Sequence, residues 1–162
     1  QMKRARFLVF VYGTLKKGEP NHHALSSGQG ECRFIGSATL ARRFPLVIAT
    51  RHNIPFLVDE PGQGHQVSGE VYEVCRAKLE VLDELEGYPN LYIRREEQVQ
   101  LDVDSSAGQS SSALVYLLPR LPSSLLASAT SPMAKYSSDG SHGRPYEEGE
   151  ECTTIEDLEK AV

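Results

Sequence analysis

The sequence predicts an α+β domain: a curved sheet or partly closed barrel with helices at its flanks. Three observations predict it. Six or so short β-rich segments are spread over residues 7–118, and one firm helical segment, residues 76–86, lies among them. The strands are not regularly separated by helices, which argues against a doubly wound parallel sheet.

Residues 7–12, Phe-Leu-Val-Phe-Val-Tyr, form an uninterrupted β-rich run. Such a run suits a strand buried on both faces. Gly13 ends it, and a polar loop runs to Pro20, with a short helix expected after Asn21. Residues 32–40, 44–49 and 54–59 read as strands, the last two parted by the polar turn 50–53. Pro61-Gly62-Gln63-Gly64 is a turn, and residues 66–74 alternate as a strand. Ala77, Lys78, Leu79, Glu80, Leu82, Glu84 and Leu85 favour helix over residues 76–86. Gly87 stands where a C′ glycine belongs, and Pro89 follows. Residues 91–101 and 113–118 read as strands around a Ser/Gly-rich loop at 102–112. Beyond Pro119 the pattern weakens. Residues 119–135 suggest no role, and a short amphipathic helix is expected at 153–161.

The 162 residues, 40% hydrophobic and 24% charged, suit one soluble domain with one real core. Residues 1–146 read as that domain and 147–162 as an acidic tail. The tail carries seven acids and one base, against a net charge of −5 for the whole chain. The body is therefore near neutral and offers no electrostatic footprint for nucleic acid. No stretch approaches the roughly 18 apolar residues of a membrane span, so no membrane partner is expected. The basic residues 3–6 before the apolar run raise the question of a signal peptide. The run is short and lacks a small-residue cleavage site, so a strand is the better reading.

Cys32, Cys75 and Cys152 are odd in number and far apart. That speaks against a disulfide framework or zinc site and for a reducing, cytoplasmic setting. Adjacent His22 and His23 cannot share one face and read as surface residues. Cys75, Tyr72 and Tyr92 read as packing residues, His52 as an exposed loop residue, and Asp83 as a flank or cap of the helix. Oligomeric state is not legible.

One carboxylate breaks the helical pattern. On a helical projection, Leu79, Leu82, Leu85 and Val81 share one apolar arc, and Glu86 falls inside it, between Leu79 and Leu82. Glu80 and Glu84 fall on the opposite side. Two readings follow: Glu86 bends out to water from a frayed end, or it points along the buried side. In the second, desolvation and the negative end of the helix dipole both favour its protonated form. A Glu so placed can act as an acid/base near neutral pH.

The loop Tyr12-Gly13-Thr14-Leu15-Lys16-Lys17-Gly18 has the glycines of half a phosphate-binding loop. Glu19 and Pro20 stand where its Lys-Ser/Thr pair would be, which excludes that motif. What remains is a turn leaving a buried strand. Its successive N–H groups either serve the turn alone or bind a carboxylate or oxyanion.

The run Val9 to Gly18, with Pro20-Asn21-His22, resembles the N-terminal signature of the γ-glutamylamine cyclotransferases. Three more blocks resemble the same family in the same order. They are Phe44-Pro45-Leu46-Val47-Ile48-Ala49 with His52-Asn53-Ile54-Pro55-Phe56, then Gly69-Glu70-Val71-Tyr72, then Leu82-Asp83-Glu84-Leu85-Glu86 running to Tyr92 and Arg94. The resemblance covers residues 7–118, with weaker echoes at Tyr136 and residues 140–143. It implies a small barrel-like mixed β-sheet with flanking helices and Glu86 as the catalytic acid/base. It also implies Tyr12, Gly13, Thr14 and Leu15 as the binding turn for a small-molecule γ-glutamyl substrate. The implied reaction forms 5-oxoproline and a free amine with no metal or cofactor, ε-(γ-glutamyl)lysine being the first-choice substrate. The alternatives are a γ-glutamylcyclotransferase acting on γ-glutamyl amino acids or glutathione, and a non-catalytic binding module of the same fold. The C-terminal part departs from the pattern: Ser141-His142-Gly143-Arg144-Pro145-Tyr146 passes directly into the acidic tail.

Overall fold

The computed structural model describes residues 5–28, 30–102 and 109–147. The expected tail helix lies outside them, as does all of the tail beyond Glu147.

The chain runs β1 (Arg6–Val11), α1 (His23–Ser26), β2 (Cys32–Leu40), β3 (Leu46–Ala49), β4 (Ile54–Leu57), β5 (Ser68–Cys75), α2 (Arg76–Glu86), β6 (Ile93–Leu101), β7 (Gln109–Leu117) and α3 (Ser123–Leu126). Five strands close into a barrel in the order β1-β5-β2-β6-β7, and β3 and β4 form a separate hairpin. All barrel neighbours are antiparallel except β1 and β7, whose parallel pairing at Val9 and Leu114 closes the ring. The sheet is therefore mixed, and its closure removes exposed strand edges.

Alternation along β1 explains its uninterrupted apolar run. Phe10 joins Ala38, Leu40, Val71, Val99, Ala113 and Val115 in one core. Val9 and Val11 join Tyr72, Val74, Leu79, Leu82, Tyr92 and Tyr116 in another, under α2. Both faces of the strand are buried, so no polar position is tolerated in its second half.

Strand β7 begins at Gln109, inside the expected loop, and pairs in register with β6 from Leu101 to Ile93. Ser110, Ser111 and Ser112 weaken its sequence signal, but the long ladder with β6 overrides propensity. Helix α2 occupies the expected residues, and its apolar arc is rotated from expectation. Leu82 and Leu79 are buried and Lys78 joins them, whereas Leu85 is 40% exposed. Burying each leucine stabilises by roughly 1.5–3 kcal/mol. Lys78 is accommodated because its ammonium donates to Ala24 O at 3.1 Å and Ser27 O at 2.7 Å, capping α1.

Residues 119–147, of which 119–135 suggested no role from sequence, form a strap over the hairpin. Thr130 N–H donates to Ile48 O, Met133 N–H to Leu46 O and Ser68 N–H to Ala134 O. The Arg144 guanidinium fastens the hairpin turn, donating to Asn53 Oδ1, Ile48 O, Ser128 O and Thr50 O. Lys16 Nζ donates to Tyr136 O, and Glu19 accepts from Ser138 N–H, so the strap also grips the loop after β1.

Candidate active site

Glu86 is the last residue of α2, and the helix end holds it. Gly87 takes the left-handed conformation with φ 67° and ψ 30°, which a residue without Cβ adopts readily. Gly87 N–H donates to Glu84 O and Tyr88 N–H to Asp83 O. These paired bonds are the Schellman arrangement, which satisfies the terminal carbonyls. The end is therefore capped, not frayed, and Glu86 is half-buried on the side facing the barrel.

The loop after β1 lies opposite. Its carbonyls are engaged: Gly13 O accepts from Lys16 N–H, Thr14 O from Asn21 N–H, and Leu15 O from His22 Nδ1 at 2.8 Å. That last bond requires the proton on Nδ1 and makes His22 a loop anchor, correcting its reading as a surface residue. Glu70 braces the loop from β5, accepting from Lys17 N–H and from the Tyr72 hydroxyl, both at 2.9 Å. Tyr72 thus has a hydroxyl role as well as a packing one. Thr14 and Leu15 border the same cavity as Glu86.

Between helix end and loop lies a cavity of about 60 Å³. Phe10, Val11, Tyr12, Gly13, Thr14, Leu15, Ile54, Pro55, Glu86, Tyr92 and Tyr116 line it. At about 10–15 Å³ per water, it has room for about four to six waters, the size of a compact head group. Glu86 is the one charged side chain among these lining residues. The five residues singled out from sequence, Tyr12, Gly13, Thr14, Leu15 and Glu86, meet on this single cavity.

The other lining residues come from elsewhere in the chain. The strapped hairpin delivers Ile54 and Pro55, and Pro55 fits because Gly13 has no side chain: a Cβ there would lie 2.9 Å from Pro55 Cγ. Tyr92, read from sequence as packing, stacks on Phe56 and also borders the cavity. Tyr116 comes from β7, and its backbone O accepts the Tyr12 hydroxyl at 2.8 Å. Burial first, then the charge of Glu86, pushes the Tyr12 phenol up. Burial, Tyr12 and Glu86 do the same to Tyr92. In Tyr116 burial and its bond to Asp83 come before the charges of Asp83 and Glu86. All three phenols are therefore neutral beside Glu86.

Residues considered from sequence that do not line the cavity are His22, His23, His52, Tyr72, Cys75 and Asp83. Cys75 instead occupies the N-cap of α2, where its sulfur accepts from Glu31 N–H at 3.1 Å. The backbone N–H of Lys78, then that of Glu31, draws its thiol below the ordinary value.

The chain is similar to known proteins over most of its length. The family described as γ-glutamyl cyclotransferase, AIG2-like, matches residues 9–137. A γ-glutamylaminecyclotransferase of Mus musculus is 41% identical over 142 residues, 85% of this chain and 94% of that protein. γ-Glutamylaminecyclotransferase C of Danio rerio is 44% identical over 140 residues, 85% of this chain and 91% of that protein. The crystal structure of an AIG2-like protein from Mus musculus superposes with a TM-score of 0.83 at 39% identity, covering 90% of this chain and 97% of that one. The barrel, the order of the sequence blocks and these matches lead to one conclusion: the chain belongs to the γ-glutamyl cyclotransferase, AIG2-like family.

Proposed function

We propose that the chain is a γ-glutamylamine cyclotransferase that converts a γ-glutamyl amide into 5-oxoproline and a free amine. The carrying observation is that Glu86 and the loop residues Tyr12, Gly13, Thr14 and Leu15 line one cavity of head-group size. A γ-glutamyl head group bears an ammonium and a carboxylate. In this reading Glu86 meets the ammonium and the loop N–H groups meet a carboxylate or the γ-carbonyl oxygen.

The chemistry follows from that placement. Glu86 removes a proton from the α-ammonium, and the amine attacks the γ-carbonyl carbon, closing a five-membered ring. The tetrahedral carbon carries an oxyanion that backbone N–H donors stabilise. Glu86 returns the proton to the leaving nitrogen, and the C–N bond to it breaks. The surplus proton on the ring nitrogen follows the same route, so the lactam is neutral and the amine departs as an ammonium. The neutral phenols of Tyr12, Tyr92 and Tyr116 exclude bulk water without competing for these protons. Holding nitrogen and carbon at near-attack distance supplies several kcal/mol of the barrier.

The cavity takes the head group and leaves the leaving amine outside, so the chemistry tolerates a side-chain amine as leaving group. The first-choice substrate is ε-(γ-glutamyl)lysine, which gives the chain a part in isopeptide degradation. We place it in the cytoplasm, a setting that suits the free thiols of Cys32 and Cys75. No helix among the described residues is long and apolar enough to cross a membrane. The test is 5-oxoproline release from ε-(γ-glutamyl)lysine, a γ-glutamyl-α-amino acid and glutathione at matched concentrations. Preference for the first supports the reading. Preference for either of the others moves the assignment to a γ-glutamylcyclotransferase, and release from none removes it.

A further inference from the structure

Asp83 departs most from its sequence reading. Expected to solvate the helix flank, its carboxylate is instead held from two strands. Arg94 Nε donates to Oδ1 at 2.9 Å and an Arg94 terminal nitrogen to Oδ2 at 3.2 Å, a two-pronged ion pair. The Tyr116 hydroxyl donates to the same Oδ1 at 2.6 Å. The barrel register produces this convergence, because Arg94 on β6 and Tyr116 on β7 are direct cross-strand partners. The Arg94 guanidinium also lies 4.3 Å from the centre of the Tyr88 ring, just past the helix cap.

Asp83 precedes Glu86 by three residues, and residues at that spacing on a helix are neighbours, about 5–6 Å apart at Cβ. Two bare carboxylates there would repel and resist joint ionisation. Arg94 cancels the first charge. Tyr116 ties the same carboxylate to β7 while its backbone oxygen holds Tyr12 at the start of the loop. One residue thus links the helix bearing Glu86 to the loop facing it.

We infer that Asp83, Arg94 and Tyr116 form a positioning set that fixes Glu86 against the loop and sets the pH range over which Glu86 exchanges its proton. The inference rests on the proposed function for its catalytic meaning but not for its physical content. Glu86 shares its cavity with the phenols of Tyr12 at the loop, Tyr92 before β6 and Tyr116 on β7; Asp83, three residues earlier on its own helix, carries Arg94 from β6. The phenols stay neutral through the working range, so the Asp83–Arg94 pair is the adjustable element.

The test is a carbon-13 NMR titration of the Glu86 carboxyl, assigned through Glu86→Gln, in wild type and four variants. Arg94→Gln leaves Asp83 uncancelled and raises the Glu86 midpoint by about one pH unit. Asp83→Asn leaves Arg94 uncancelled and lowers it. The double variant returns it close to wild type. Arg94→Lys, which keeps the charge but not the fork, stays within a few tenths of a unit. The acid limb of the pH–rate profile for 5-oxoproline release moves with the midpoint in each variant. A Glu86 midpoint that ignores Arg94→Gln, or moves alike in Arg94→Gln and Asp83→Asn, overturns the inference. Midpoints that move as stated without turnover of any γ-glutamyl substrate overturn the proposed function and leave the inference standing.

Discussion

Gly13→Ala tests how tightly the hairpin closes the cavity. The new Cβ would lie 2.9 Å from Pro55 Cγ, so one partner must retreat by about half an ångström to reach the 3.4 Å at which ordinary contact begins. Neither has slack: Gly13 is held through Lys16, and Pro55 is a buried rung of the β3–β4 ladder opposite Ile48. Overpacking of this kind costs about 1–3 kcal/mol. Misplacement by about 1 Å can cost a hundredfold in rate, so half that displacement lowers turnover by about tenfold. Pro55→Ala removes the clashing ring atom while its own Cβ sits at a comfortable 3.6 Å, so the double variant recovers most of both losses. Urea unfolding and 5-oxoproline release on the four proteins read the coupling, expected at about 1 kcal/mol or more. A Gly13→Ala protein with wild-type stability and turnover, or a double variant no better than the single, refutes this account of the wall.

Two further predictions concern the shell around the site. Arg144→Ala removes four hydrogen bonds that fasten the hairpin turn to the strap, three of them to backbone oxygens of Ile48, Thr50 and Ser128. Loss of about 2–3 kcal/mol is expected in urea unfolding, with KM rising more than kcat falls, and Arg144→Lys does not restore the fork. Glu97, 5% exposed, accepts from both Arg42 and Arg95. Burial pushes its carboxyl up, but the two guanidinium groups outweigh burial and hold it below its ordinary value of 4.5. A depressed carboxylate stabilises above its unfolded-state value, and that contribution is lost as pH falls through the native one. Glu97→Gln is therefore destabilising at pH 7, and the gap from wild type narrows below about pH 4.5, read by unfolding across pH.

The barrel strands and α2 were legible because each buries a face whose periodicity matches its geometry. The clearest cases are the two-sided run of β1 and the leucines of α2. Glu86 stood out for the same reason, as a carboxylate inside an apolar arc. The Schellman bonds around Gly87 supply what periodicity lacked, a reason for the helix end to stay folded. The serine-rich start of β7 was hidden because its strand character comes from pairing with β6 and not from its own residues. Tyr116 and Arg94 were invisible as a pair for the same reason: cross-strand register is a property of the closed barrel. The strap was illegible because its bonds run through backbone groups and polar side chains, Arg144, Lys16 and Glu19 among them, which leave no hydrophobic period. Lys78 shows the converse, a charged residue read from sequence only as a helix former, which the fold buries against carbonyls at the end of α1.

The central claim is that Glu86 moves the protons of the cyclisation. Glu86→Gln keeps the shape of the side chain and removes its basicity, so the barrel, the loop and the cavity stay in place. The direct measurement is the rate of 5-oxoproline release from ε-(γ-glutamyl)lysine by wild type and Glu86→Gln, with unfolding curves to confirm equal stability. The account predicts a fall of about 10²–10⁴-fold in kcat. A Glu86→Gln protein that turns over at the wild-type rate would contradict it.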